Sequence, residues 1–136
     1  MLSLLQGWWK SAGGAPPKDT LGDRGENRAA RYLRERGYKI LIRNFRCPLG
    51  EIDIVARDGR TLVFCEVKTR VDDAPATPEA QVNGFKRHQI TKAARYYLNR
   101  YGVPQPPARF DVVAVVWPDG QEPKIRHTPH AFEATF

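Results

Sequence analysis

Two stretches of β-forming residues, 51–57 and 61–70, meet at Asp58-Gly59, a dipeptide that closes two-residue hairpins. A hairpin dictates which side chains share a face, so this junction constrains the fold more than any other feature. With Asp58 and Gly59 as the turn, Arg57 faces Arg60, Glu51 faces Glu66 and Asp53 faces Phe64. Side chains alternate along a strand, which puts Glu51, Asp53, Glu66 and Lys68 on one face and Ile52, Ile54 and Ala56 on the other. Asp53 and Glu66 become diagonal neighbours, roughly 7–8 Å apart. Three carboxylates on one face repel one another and call for cationic compensation. Lys68 supplies one charge, and carboxylate oxygens suit a hard divalent cation, Mg²⁺ or Mn²⁺, for the rest. For Glu66 and Lys68 alone, an exposed sheet face with a cross-strand salt bridge serves equally well.

The flanking sequence supplies the other elements. Thr20, with Asp23 three residues on, predicts a capped helix running to about Arg36 and stopping at Gly37. Glu26, Ala29 and Leu33 form one stripe of that helix, and Arg24, Arg28, Arg31 and Arg34 lie on the other side. Glu26 is an acid on the inward stripe, where it can reach the carboxylates of the sheet. Residues 38–46 read as the first strand, followed by a turn at Pro48-Leu49-Gly50. After the hairpin come a Pro- and Asp-containing loop, 71–83, and a second helix over about 85–101. Its stripe holds Lys86, Ile90, Ala94, Tyr97 and Tyr101. Residues 110–117 are nearly all apolar, as in a strand buried on both faces, and a weaker strand is expected near 124–127. The order α-β-β-β-α-β-β predicts an α/β fold: a mixed central sheet of four to five strands, one right-handed crossover, and flanking helices.

Composition narrows the partners. The 136 residues are 41% hydrophobic and 27% charged, which excludes a wholly disordered chain. No apolar run approaches the ~20 residues of a spanning helix, so no membrane is expected. The net charge is +7, from 22 Lys/Arg and 15 Asp/Glu. Residues 24–46 hold eight Lys/Arg against two acids, and residues 86–109 hold six against none. Such basic stretches suit phosphate contacts along a nucleic acid, although solvated helix faces are as basic. Arg24, Arg28, Arg31, Arg43, Arg46, Arg70, Lys86 and Arg87 are the candidate contacts. Cys47 and Cys65 make no disulfide framework and no metal-ligand spacing, which fits a cytoplasmic setting. Asp111, inside an apolar strand, is expected in a structural ion pair with Arg43 or Arg109, and His88, His127 and His130 are expected at the surface. Residues 1–17, with Trp8-Trp9 and a Gly/Pro linker, read as a flexible tail before a single domain over 18–136.

At these residues a resemblance appears. Gly25-Glu26, Arg43-Asn44, Gly50-Glu51-Ile52-Asp53, Phe64-Cys65-Glu66-Val67-Lys68-Thr69-Arg70 and Arg109-Phe110-Asp111-Val112-Val113 follow in order. This pattern resembles the YraN-like family of small bacterial proteins, which is similar to Holliday-junction resolvases of the PD-(D/E)xK nuclease superfamily. The resemblance implies a restriction-endonuclease-like (resolvase-like) core and Mg²⁺- or Mn²⁺-dependent hydrolysis of DNA phosphodiester bonds, including branched or structured DNA. It matches Glu26 to the acid of the first helix, Asp53 to that of the second strand, and Glu66 with Lys68 to the acid-x-Lys element. Ile52 stands where the superfamily's Pro precedes the Asp. In this reading Glu26, Asp53 and Glu66 hold the metal, Lys68 assists the attacking water, and Glu51 and Lys86 lie around them. Resolvases cut as dimers, which points to a homodimer. Two other functions fit the same sequence: a nucleic-acid-binding module of nuclease descent that cuts nothing, and a protein-binding scaffold.

Overall fold

The structure is a computed structural model that describes residues 20–135; the 1–17 tail and Trp8-Trp9 lie outside the described residues. Helix α1 (Leu21–Glu35) leads into strands β1 (Lys39–Cys47), β2 (Gly50–Asp58) and β3 (Thr61–Arg70). A connection with a short 3₁₀ turn (Pro78–Gln81) reaches helix α2 (Gly84–Leu98), followed by β4 (Ala108–Val116) and β5 (Lys124–Phe132). The five strands lie in sequence order in one sheet, with only β3 and β4 parallel. The architecture is therefore the expected mixed α/β sheet with two helices.

Both helices start on side-chain caps. Thr20 accepts from the Asp23 N–H at 3.1 Å while Asp23 accepts from the Thr20 N–H, and Asn83 accepts from the Lys86 N–H. Each helix buries its stripe against a different face of the sheet. Ala29, Ala30 and Leu33 of α1 pack on Ile54, Val63, Cys65 and Val113. Ile90, Ala94 and Tyr97 of α2 pack on Phe45, Ile52, Val55 and Phe64. A sheet covered on both sides has the near-continuous apolar strands seen in β3 and β4.

The hairpin register departs from the expectation. Asp58 pairs with Thr61, so the turn residues are Gly59 and Arg60. Gly59 adopts φ +60° at the first central position, where a glycine avoids the Cβ clash of that conformation. The register shifts by two residues, which preserves parity and moves Asp53 from the level of Phe64 to that of Glu66. Alternation along β2 also breaks. Ile54 and Ala56 face α1, but Ile52 faces α2 on the same side as Val55. The partner strand switches sides with it: Phe45, paired with Ile52, packs under α2, while Arg43, paired with Ile54, bonds to α1. Between them sit Asp53 and Asn44, the latter at φ +55°. The β2–β3 pairing ends at Ile54–Cys65, immediately before Asp53.

Three further differences concern the second half. Strand β5 runs to Phe132 rather than stopping near His127, through a register irregularity opposite Phe110–Val112. His127 is not a surface residue: its side chain is 6% exposed and its Nε2 lies 2.7 Å from Asp111. Asp111, fully buried, pairs with Arg109, one of its two expected partners, and also accepts the His130 N–H at the irregularity. Burial opposes its charge, yet the bonds from His127, Arg109 and His130 hold its carboxyl below the usual range. Loop 71–83 is tied to β5 by Arg126, whose guanidinium spans Asp73 at 2.7 Å and Glu79 at 2.8 Å.

Helix α1 approaches β3 closely through Gly25. A Cβ on Gly25 would stand 2.7 Å from Thr69 Cβ and closer still to its hydroxyl. Thr69 Cβ cannot rotate aside, so a side chain here forces the helix off the sheet. Gly25→Ala is expected to lower the unfolding free energy by about 1–3 kcal/mol in urea denaturation. An unchanged midpoint contradicts this packing.

Candidate active site

The site is built where β2 parts from β3. The Val67 N–H has lost its strand partner there, and the Asp53 carboxylate accepts it at 2.8 Å. An unpaired backbone N–H next to a core is costly, so this bond both closes the gap and aims Asp53 along the sheet toward β3. Glu66 is the residue before Val67. Its parity with Phe64 turns it toward α2, and it is 3% exposed. Asp53 and Glu66 meet at this point. Burial, a hydrogen bond from the protonated Glu66 carboxyl to Asp53, and the Asp53 charge push the Glu66 carboxyl up to about 9.

Two ammonium groups work in the opposite direction. Lys86, from the first turn of α2, places its Nζ 3.3 Å from Glu66 Oε2, and Lys68 acts on Glu66 by charge from two residues further along β3. Lys86 therefore faces the carboxylates from the stripe that also holds Ile90 and Ala94. Glu26 approaches from the α1 side. Burial and the Asp53 charge push its carboxyl up to about 7 against the pull of Arg43, whose guanidinium lies 3.6 Å away.

The expected arrangement on one sheet face is thus corrected. Glu26 and Glu66 come from opposite sides of the sheet, and Asp53, at the switch between them, interacts with both. Among the described residues, no three His, Cys, Asp or Glu side chains form a ready metal cluster. Glu51 is not beside Glu66. It lies past the end of the β2–β3 pairing, exposed, and pairs with Arg46 at 3.1 Å. The acid-x-Lys pattern and helix phase located Glu26, Glu66 and Lys68. The gap that gives Asp53 its role had no signal beyond the placement of an acid between Ile52 and Ile54.

The donor set fits a hard cation. Glu26 Oε1 and Glu66 Oε2 are buried without a well-formed hydrogen bond, and each is met by a single ion pair, from Arg43 at 3.6 Å and from Lys86 at 3.3 Å. Buried carboxylate oxygens crowded against a second carboxylate are what a divalent ion relieves.

Of the candidate nucleic-acid contacts, several already hold the fold. Arg43, Arg46 and Lys86 are in the ion pairs above, and Arg31 pairs with Glu35. Arg87 donates to the Val82 carbonyl, and Arg24 lies 4.5 Å from the Trp117 ring centre. Arg28 and Arg43 each bury an Nε without an acceptor, and Arg70 is half-buried at the end of β3.

The chain belongs to the family described as Uncharacterised protein family UPF0102, whose model matches residues 25–115. That span contains all four proposed site residues. A UPF0102 protein of Geotalea uraniireducens is 50% identical over 117 residues, covering 86% of this chain and 92% of its own. The UPF0102 protein GSU0650 of Geobacter sulfurreducens is 50% identical over 116 residues, covering 85% and 91%. A UPF0102 protein of Moorella thermoacetica is 52% identical over 101 residues, covering 74% and 83%.

The raised carboxyls set a pH dependence. The folded state holds protons on Glu66 and Glu26 that the unfolded chain releases near 4.5. Stability of the metal-free protein therefore falls as pH rises from about 4.5 toward 9. Glu66→Gln is expected to flatten this decline and to melt above the wild type at pH 8, with the two converging near pH 5. Thermal melts across that range in a chelating buffer check it; parallel curves contradict it.

Proposed function

We propose that this protein is a divalent-metal-dependent nuclease with a resolvase-like core that hydrolyses DNA phosphodiester bonds in the cytoplasm. The observation that carries the reading is the meeting of Asp53 and Glu66 in a buried gap of the sheet, with two lysines beside them. Asp53 and Glu66 would hold Mg²⁺ or Mn²⁺, with Glu26 contributing from across the gap. The bound ion would neutralise phosphate charge and lower the pKa of water.

The chain's own residues account for the rest. Asp53 is held in place by the Val67 N–H, so its carboxylate cannot swing away. Glu66 is confined by burial and by Lys86. Lys68, on the same face as Glu66 and half-exposed, is placed to orient an incoming water and to steady charge on the phosphate. Lys86 lies against Glu66 and favours its ionised form. Basic side chains of α1 and β1 supply phosphate contacts that are independent of sequence. Among the described residues, no helix is long and apolar enough to cross a membrane. The resemblance to resolvases would extend the proposal to a homodimer.

A non-cutting nucleic-acid-binding module is the second reading. It is favoured by the Lys86–Glu66 pair, in which a lysine already supplies the charge that a metal would bring.

A panel of single-stranded, duplex, flapped and four-way DNA, incubated with Mg²⁺ or Mn²⁺, separates the two. The nuclease reading expects cleavage that falls by at least about 100-fold in Asp53→Asn and in Lys68→Ala, with DNA binding largely kept. The module reading expects no cleavage by any variant and an affinity that drops steeply with salt. Equal cleavage by wild type and Asp53→Asn overturns the assignment of the site.

A further inference from the structure

Lys86 stands at the oxygen that a cation at the carboxylates needs. Its Nζ lies 3.3 Å from Glu66 Oε2, and Asp53 lies against the same glutamate. Among the described residues, Lys86 is the one ammonium group in an ion pair with Glu66, whereas Lys68 acts on the glutamate by charge. An ion that takes Asp53 and Glu66 as ligands therefore arrives beside a positive charge. Like charges a few ångströms apart repel strongly where water is partly excluded. The site fits a hard cation by its oxygens and resists it by its lysine.

The two partners differ in how they can move. Glu66 is 3% exposed and is confined by the packing around it. The start of α2 is fixed as well: Asn83 accepts the Lys86 N–H at 3.0 Å, and Arg87 Nε donates to the Val82 carbonyl at 2.9 Å. The Lys86 side chain, in contrast, is 26% exposed and carries its charge on a flexible four-carbon stem. It lines an open cavity of about 480 Å³ with Gln89 and the β1–β2 turn. Arg46 and Glu51, in the same lining, are paired with each other. The contact with Glu66 is thus broken most readily by the ammonium turning out into that space, while the helix and the carboxyl stay. A phosphate held at the carboxylates by a nucleic acid offers the ammonium a new partner and frees the glutamate oxygen.

We infer that Lys86 couples the two ligands of this site: it keeps the affinity for a divalent cation low in the free protein, and yields Glu66 to the ion when a nucleic-acid phosphate takes its ammonium. The inference rests on the nuclease reading, which assigns Asp53 and Glu66 to the cation. Linkage makes the effect reciprocal, so the cation tightens nucleic-acid binding by the same factor. Removing Lys86 also favours a proton on Glu66, but the ammonium repels a doubly charged ion about twice as strongly as a proton at the same distance. The ion therefore gains more than the proton from its loss.

The test is Mn²⁺ binding to the full chain near neutral pH, read from the electron paramagnetic resonance of the free ion. It is run alone and with a short duplex whose phosphorothioate backbone resists hydrolysis, after subtraction of Mn²⁺ bound by the duplex itself. Lys86→Met keeps the length of the side chain and loses its charge, and Lys86→Arg keeps the charge; both are first checked for cooperative melting. Without DNA, Lys86→Met is expected to bind Mn²⁺ about tenfold tighter than the wild type, and Lys86→Arg no tighter. The duplex is expected to tighten binding about tenfold in the wild type and at most about threefold in Lys86→Met. If Lys86→Met binds Mn²⁺ no tighter than the wild type, Lys86 is only a structural partner of Glu66, and the inference falls while the metal site stands. Equal tightening by the duplex in both proteins overturns it too, because the coupling then runs through phosphate oxygens on the ion. If neither the wild type nor either variant binds Mn²⁺, even with DNA, the metal site is removed, and the nuclease reading falls together with the inference.

Discussion

The bond from the Val67 N–H to the Asp53 carboxylate holds the site together. Strand β2 can leave β3 only because a side chain takes over where the backbone pairing stops. The same bond places an acid at the level of Glu66 in the middle of a packed sheet. The cost is visible in the neighbouring groups: Glu66 and Glu26 are both held well above their ordinary range, by burial first and by Asp53 next. Networks of this kind strain a core, and they are characteristic of sites that bind ions or transfer protons.

Around that bond the two halves of the molecule have different tasks. Helix α1 lies close to β3 through Gly25 and brings Glu26 to one side of the gap. Helix α2 brings Lys86 to the other. The Asp111 cluster binds β4 to β5 and, through Arg109, reaches Tyr38 and Asp58 at the far end of the hairpin. It uses a buried carboxylate with every partner in place, which is why Asp111 stays ionised where Glu66 does not.

Much of the fold was legible because local signals agreed with one another. The Thr20–Asp23 cap, the stripes of both helices and the apolar run of β4 each match an observed element. Parity grouped Glu66 with Lys68, and the stripe position of Lys86 left open whether it turns toward the site, as it does, or snorkels to solvent. The failures are places where a tertiary contact overrode a local rule. Asp58-Gly59 suggested a turn one residue early, because either Gly59 or the dipeptide as a whole can close a hairpin. Strict alternation put Ile52 with Ile54, and the kink at Asn44 and Asp53 has no periodic signature. Strand β5 was expected to stop near His127, yet it continues past Pro129 through the irregularity opposite Phe110–Val112. His127 looked like a solvent-facing residue on an edge strand until Asp111, distant in sequence, supplied its partner.

The double grip of Arg126 on Asp73 and Glu79 gives the crossover segment a mechanical part. It fastens the chain just ahead of α2 to the outermost strand, so the helix start that presents Lys86 is braced from outside the core. A strut made of exposed charges weakens with ionic strength while the oily interior does not. Brine would therefore slacken the brace behind Lys86 long before it disturbs the sheet, independently of any effect on polyanion attraction.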